Sequence, residues 1–260
     1  MNTPLNVALL QFDIAWEQPE KNKIKIEKKL ASLSEPVDVL ILPEMFTTGF
    51  SMNASRMSES MSGVTVSWLR KLSKTYDIAI IGSIIIAEEG KYFNRLVWVQ
   101  PDGKLFHYDK RHLFGMAKEN KFYTAGKKKL MVTYKGWKIC PLVCYDLRFP
   151  VWSRNSENYD LLIYIANWPD RRIKAWDTLL CARAIENQAY TIGVNRIGKD
   201  PKGNKYAGNS TIIDPLGNYL VKPMKPKSKL KIYKLESSKL TVIRKNLPFL
   251  KDMDQFTITE

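Results

Sequence analysis

The feature that most constrains this fold is a set of short apolar runs that do not alternate with polar residues. Residues 5–12, 37–42, 78–87, 137–143 and 161–166 are dense in Leu, Ile and Val. None approaches the length that spans a membrane, and each reads as a strand. A strand that is apolar at successive positions must be covered on both faces. The cover is visible between the runs. Ile26, Leu30 and Leu33 recur at helical spacing in a lysine-rich stretch from about 20 to 34, and Leu69, Leu72 and Tyr76 share one side of residues 65–76. Another helix is predicted over 172–187, with a strand at 190–195. Turn residues such as Pro101-Asp102-Gly103, Lys135-Gly136 and Pro215-Leu216-Gly217-Asn218 close hairpins. Strands and helices that alternate, interrupted by hairpins, favour a layered α/β fold over a pure parallel barrel.

No repeat, linker or composition break divides the chain, so residues 1–260 read as one domain, with residues 228–260 forming a final strand, a helix and an arm or tail. Two long irregular segments, 45–63 and 113–125, stand out, because long loops in compact domains are usually functional. A Gly- and Lys-rich stretch, 197–208, reads as a further loop.

Composition narrows the class. Hydrophobic residues make up 45% of the chain, an ordinary globular value. The first residues lack a basic segment followed by a long apolar core, so no signal peptide is expected and the expected location is the cytoplasm. Three cysteines, Cys140, Cys144 and Cys181, form no framework and fit a reducing compartment. Two histidines, His107 and His112, and no His/Cys cluster at ligand spacing argue against a metal centre. The net charge of +15 admits an anionic partner. No recognition helix, zinc finger or RNA-binding signature accompanies it, so the lysines read as a solvated surface and no nucleic-acid partner is expected.

Three ionisable residues stand just past apolar strands: Glu44 in Leu42-Pro43-Glu44, Lys110 in Tyr108-Asp109-Lys110, and Cys144 at the end of 137–143. Neighbouring strands bring such ends to one edge. A cysteine on a strand-to-helix turn is presented to substrate, with backbone N–H groups near a developing oxyanion. A hydrolase built on it needs a base, an oxyanion donor and an acid for the leaving amine. His112 is the only histidine placed to be the base, but it lacks the local signature of a papain-like pair. A carboxylate at a strand end, beside apolar Met45-Phe46, makes Glu44 the better candidate. Taken singly, each of the three has a plainer reading, as a buried small residue or a solvated charge.

Together these stretches resemble the nitrilase, or carbon–nitrogen hydrolase, superfamily. Leu42-Pro43-Glu44-Met45-Phe46, the run from Tyr108 to Phe114, and Cys144-Tyr145-Asp146-Leu147-Arg148-Phe149-Pro150 are similar to its three motifs, in order and over nearly the whole chain. The wording around them, such as Phe46-Thr47-Thr48-Gly49-Phe50 and the run from Ala182 to Tyr190, is similar to the bacterial omega-amidase (2-oxoglutaramate amidase) branch. The resemblance implies a four-layer α-β-β-α sandwich, homodimeric through stacked helices and free of cofactors or metals. It implies Cys144 as nucleophile, Glu44 as base, Lys110 and the Tyr145 backbone N–H as oxyanion donors, and Glu119 as a second glutamate that positions lysine and substrate. Arg148 is a candidate for a substrate carboxylate, with a salt bridge to Asp146 as its structural alternative. Phe50, Phe114 and Trp168 are candidate pocket walls. The expected substrates are small omega-amides of 2-oxo acids, with carbamoyl amino acids or nitriles as the alternative. A non-catalytic basic binding protein is a more distant one.

Overall fold

The computed structural model describes residues 3–259. The first sheet takes β1 (Leu5–Gln11), β2 (Val39–Ile41), β3 (Ala79–Glu88), β4 (Lys91–Val99) and β5 (Leu105–Asp109). The second takes β6 (Val132–Tyr134), β7 (Trp137–Val143), β8 (Leu161–Ala166) and β9 (Tyr190–Asn195). A separate hairpin of β10 (Ile197–Lys199) and β11 (Lys205–Ala207) follows. The second sheet is then completed by β12 (Thr211–Ile213) and β13 (Tyr219–Val221), and β14 (Lys229–Leu235) returns to the first. Their orders are β14-β1-β2-β3-β4-β5 and β13-β12-β9-β8-β7-β6. β1, β2 and β3 run parallel, as do β7, β8 and β9.

The apolar runs explain the layers. Successive residues of a strand face opposite sides. Along the first sheet Leu5, Val7, Leu9, Val39 and Ile41 face the second sheet, in one core with Trp137, Ile139 and Ile163. The residues between them, Ala8, Leu10 and Leu40, face the other way, against Ile26, Leu30, Val66 and Leu69. Those four come from α1 (Pro19–Leu30) and α3 (Val64–Tyr76); α2 (Ala54–Met57) is a single turn in the loop before α3. The second sheet is covered outside by α5 (Ile173–Asn187), through Trp176, Leu180 and Ala184. A one-turn α4 (Pro150–Ser153) precedes α5, and α6 (Ser237–Asn246) follows β14. The result is the α-β-β-α sandwich in four layers.

Two local expectations differ from the structure. The first helix stops at Leu30 rather than near Ser34, because the Ser32 hydroxyl donates to the Lys29 carbonyl and Leu33 N–H to Leu30. The stretch read as a loop at 197–208 is the β10–β11 hairpin. Its glycines and lysines carry no strand pattern. Its turn is held instead by Asp200, which accepts from Asn204 N–H at 2.9 Å, Asn204 Nδ2 at 2.8 Å and the Tyr206 hydroxyl at 2.9 Å.

Candidate active site

Topology brings the three strand ends together. β2 delivers Glu44, β5 delivers Lys110, and β7 of the facing sheet delivers Cys144. β4 runs antiparallel to both β3 and β5, so β5 ends at the same edge as β2 and β3.

The Lys110 ammonium lies between two carboxylates. It donates to Glu44 Oε1 at 2.9 Å, and to Glu119 Oε1 and Oε2 at 3.0 and 2.9 Å. All three side chains are sealed from solvent. Burial pushes Lys110 down, but Glu119 and Glu44 outweigh it, so the lysine stays an ammonium at a raised pKa. Burial raises the Glu119 carboxyl and Lys110 opposes the rise. The Phe114 N–H also donates to Glu119, at 2.6 Å. The loop that carries Glu119 is thereby tied to its own floor, although it reads as irregular.

The strand that carries Lys110 is stiffened from behind. Buried Arg95 grips Asp109 through Nε at 2.7 Å and a second nitrogen at 2.9 Å. Gly126 presses against the same backbone: a Cβ there would lie 2.0 Å from the Asp109 carbonyl oxygen, and its N–H donates to Lys110 O.

Backbone strain gathers around the site. Met45, directly after Glu44, has φ 42°, and Cys144 itself has φ 46°. Left-handed conformations are costly for side chains of this kind and persist only where their surroundings enforce them. At Met45 the enforcing contact is Ser83, whose hydroxyl accepts the Met45 N–H at 2.8 Å. At Cys144 it is Asp146, which accepts Val143 N–H at 3.0 Å and Tyr108 OH at 2.8 Å. Cys144 as a whole residue is 8% exposed. Burial pushes its pKa well above the ordinary thiol value, as do the Glu44 and Glu119 charges, and Lys110 opposes them. The group is thus a thiol beside a carboxylate able to take its proton, with a buried cation close by.

Cys144 opens into a cavity of about 310 Å³. Phe50, Phe114, Tyr145, Arg148 and Trp168 all line it, as does Lys110. The Phe50 ring lies 5.1 Å from Lys110 Nζ, and the Arg148 guanidinium stacks over Trp168 at 5.0 Å. Among the described residues Arg148 forms no ion pair with Asp146, whose oxygens are taken by Tyr108, Val143 and His112. His112 donates its backbone N–H to Asp146 at 3.0 Å, holds its ring nitrogen 2.8 Å away, and stacks on Phe149 at 3.7 Å. Its ring is thus committed to Asp146 and Phe149. Glu44 and Glu119 lie behind Lys110 rather than in the cavity lining.

Four residues near the site were not singled out from the sequence. Asn94, within β4, donates Nδ2 to Glu44 Oε1 at 2.8 Å and to Glu119 Oε1 at 3.2 Å. Asn167 donates its N–H to Glu44 Oε2 at 2.8 Å and its Nδ2 to the Glu44 carbonyl at 2.6 Å. Arg171 and Arg172 line the cavity, the latter over Phe114 at 4.9 Å. Asn94 sits beside Arg95 in the polar first half of β4, and nothing in that pattern separates it from an ordinary strand-end polar residue. For Asn167 the signal is the strand-end position shared with Glu44 and Cys144. Among the described residues no group of His, Cys, Asp and Glu is arranged to hold a metal ion, and no helix is long and apolar enough to cross a membrane.

Comparison with known proteins places this geometry in context. The sequence model of the carbon-nitrogen hydrolase family matches residues 6–245. The chain is 45% identical over 254 residues to Omega-amidase YafV of Yersinia enterocolitica, covering 98% of each. It is 32% identical over 252 residues to 2-oxoglutaramate amidase of Bacillus subtilis (strain 168), covering 95% of this chain and 96% of that one. The crystal structure of XC1258 from Xanthomonas campestris, a CN-hydrolase superfamily protein with an arsenic adduct in the active site, superposes with a TM-score of 0.96. It is 41% identical, and the match covers 99% of this chain and 100% of that one.

Proposed function

The chain belongs to the carbon-nitrogen hydrolase family and is a hydrolase of carbon–nitrogen bonds, and from that premise we propose that it is an omega-amidase using Cys144 as its nucleophile. The reading is carried by one observation: a thiol and an ammonium line a cavity rich in guanidinium groups, with two carboxylates bonded to the ammonium directly behind it.

The chemistry follows from the contacts. Glu44 takes the Cys144 proton as sulfur attacks the amide carbon, so a thiol buried in its resting form becomes a thiolate only as the bond forms. The carbonyl oxygen gains the negative charge, which the Lys110 ammonium and the Tyr145 N–H stabilise. Glu44 returns the proton to nitrogen, the C–N bond breaks, and ammonia leaves a thioester. Water then attacks the thioester carbon, giving its proton to Glu44. The C–S bond breaks, the acid departs, and the proton returns to sulfur. Glu119 and Asn94 keep Lys110 and Glu44 in register throughout.

The substrate class is supported by the cavity charges and by the omega-amidase relatives. Arg148, Arg171, Arg172 and Lys202 line the cavity, and among the described residues no carboxylate forms a salt bridge with the three arginines. The lining Asp200 is engaged by Asn204 and Tyr206. A substrate with a carboxylate at one end and an amide at the other matches that surround, and a guanidinium holds a carboxylate bidentately. Small omega-amides of 2-oxo acids, 2-oxoglutaramate and 2-oxosuccinamate, satisfy it. Glutamine carries an ammonium in place of the oxo group and is disfavoured among cations. The expected ranking of kcat/KM places 2-oxo amides above glutamine and asparagine, and above nitriles and carbamoyl amino acids. Ammonia release across this panel at one pH is the test. A carbamoyl amino acid at the head would reassign the substrate and leave the nucleophile unchanged.

We propose with it a homodimer that buries outer apolar side chains. Ile185 on α5, Leu216 and Val242 on α6 are 50%, 48% and 57% exposed. Sedimentation equilibrium is expected to give twice the chain mass, and a stable monomer at micromolar concentration would count against it. Cys140, Cys144 and Cys181 are all free, which supports a reducing, cytoplasmic setting.

A further inference from the structure

Asn167 holds an oxygen that the protein does not use. The residue is 5% exposed, and among the described residues its Oδ1 has no hydrogen-bond partner. Its orientation is fixed, because Nδ2 donates to the Glu44 carbonyl at 2.6 Å and a flipped amide would set two oxygens against each other there. The segment is pinned on the far side as well. Asn195 Oδ1 accepts the Trp168 N–H at 2.8 Å, and its Nδ2 donates to Trp168 O and Gly208 O, each at 2.9 Å. A buried acceptor without a donor costs about 1–3 kcal/mol and is rare in native proteins. In a rigid site such an atom marks a place where another molecule supplies the donor.

Its position says which donor. Val143 of β7 lies opposite Ile165 of β8, so Cys144 and Asn167 follow at adjacent strand ends. Both line the same cavity, and the Asn167 N–H already holds Glu44 Oε2. Of the charged side chains around them, Lys110, Arg148, Arg171, Arg172 and Lys202 are donors only, and the one carboxylate in the lining, Asp200, already accepts from Asn204 and Tyr206. The NH2 of a primary amide carries two donors and needs acceptors. The mechanism proposed above gives one of them to Glu44, which returns a proton to the leaving nitrogen.

We infer that Asn167 is the residue that recognises the amide nitrogen: its Oδ1 accepts an N–H of the substrate NH2 while sulfur attacks the neighbouring carbon. The inference rests on the amidase reading above and adds a basis for selecting amides over groups without N–H. A nitrile and an ester both leave Oδ1 unpaired, and both lose that contact.

The test compares two substrates with the same acyl group, 2-oxoglutaramate and the terminal methyl ester of 2-oxoglutarate. In Asn167→Ala the amide-to-ester ratio of kcat/KM is expected to fall about tenfold or more, chiefly through KM for the amide. Equal losses on the two substrates, carried by kcat, would overturn the inference and leave Asn167 acting only through Glu44. Asn167→Ser, with a hydroxyl too short to reach the substrate but able to donate toward Glu44, gives the same decision if the alanine variant does not fold. Wild-type enzyme that releases no ammonia from any omega-amide would instead remove the amidase reading itself.

Discussion

The Cys144→Ala protein is expected to release no measurable ammonia from 2-oxo amides, a loss on the order of 10⁴-fold or more. The fold is expected to survive. The side chain is small and sits at the cavity, so its loss costs about 1 kcal/mol or less. The alanine still occupies a left-handed backbone position enforced by Asp146, so the elbow keeps its shape. Steady-state assay beside a thermal melt checks both halves of this expectation. Mass spectrometry of wild type mixed rapidly with substrate adds a third, an acyl group on the peptide that carries Cys144. Turnover retained in Cys144→Ala would refute the mechanism.

Lys110→Gln is expected to fail twice. One oxyanion donor is gone, so kcat falls on the order of a hundredfold or more, with little change in KM. The cation between Glu44 and Glu119 is also gone, and breaking a buried pair of this kind costs about 3–5 kcal/mol. The pH dependence separates this loss from ordinary destabilisation. Burial already raises the Glu119 pKa, and without the ammonium beside it the folded value rises further. A carboxyl with a raised folded pKa favours the folded state below its unfolded value, about 4.3, and loses that advantage as pH climbs through the folded value. The variant is therefore closest to wild type in acid and falls further behind toward neutrality. Melts of both proteins from pH 5 to pH 8 measure it. A stability gap that does not change with pH would mean that the two carboxylates are not held apart by Lys110, and a change confined to KM would make Lys110 a binding residue.

Much of the architecture was legible because burial on two faces leaves a direct mark on composition. Leu161–Ala166 and Tyr190–Asn195 begin and end where their apolar runs do. The meeting of Glu44, Lys110 and Cys144 was legible for a related reason: each stands just past a strand's end, and the two facing sheets carry those ends to one edge. Glu119 was different. It lies in a short Lys-Glu-Asn-Lys stretch that looks like solvated surface, and only the resemblance to a family drew attention to it. Its burial comes from Lys110 and the Phe114 N–H, contacts set by tertiary packing. The β10–β11 hairpin was hidden because its order comes from Asp200 and its amide and hydroxyl partners, not from an apolar face. Asn94 and Asn167 were hidden because an asparagine in a strand, or just past one, announces polarity but not the carboxylate it holds.

The return of β14 to the first sheet bears on how the molecule comes into being. β1 pairs with β14 along its full length, Leu5 with Leu235 through Gln11 with Lys229, and β14 is the outermost strand there. Among the described residues, the first strand to be synthesised therefore has as its neighbour the last. Until residue 235 is made, β1 presents bare N–H and C=O groups along one side, the kind of surface on which nascent chains pair wrongly. The lysines alternating along β14 at 229, 231 and then 234 afterwards protect the new outer margin with charge. A chain stalled or cleaved before β14 would hold every group that performs the chemistry and would leave β1, the neighbour of the strand that delivers Glu44, as an uncovered edge.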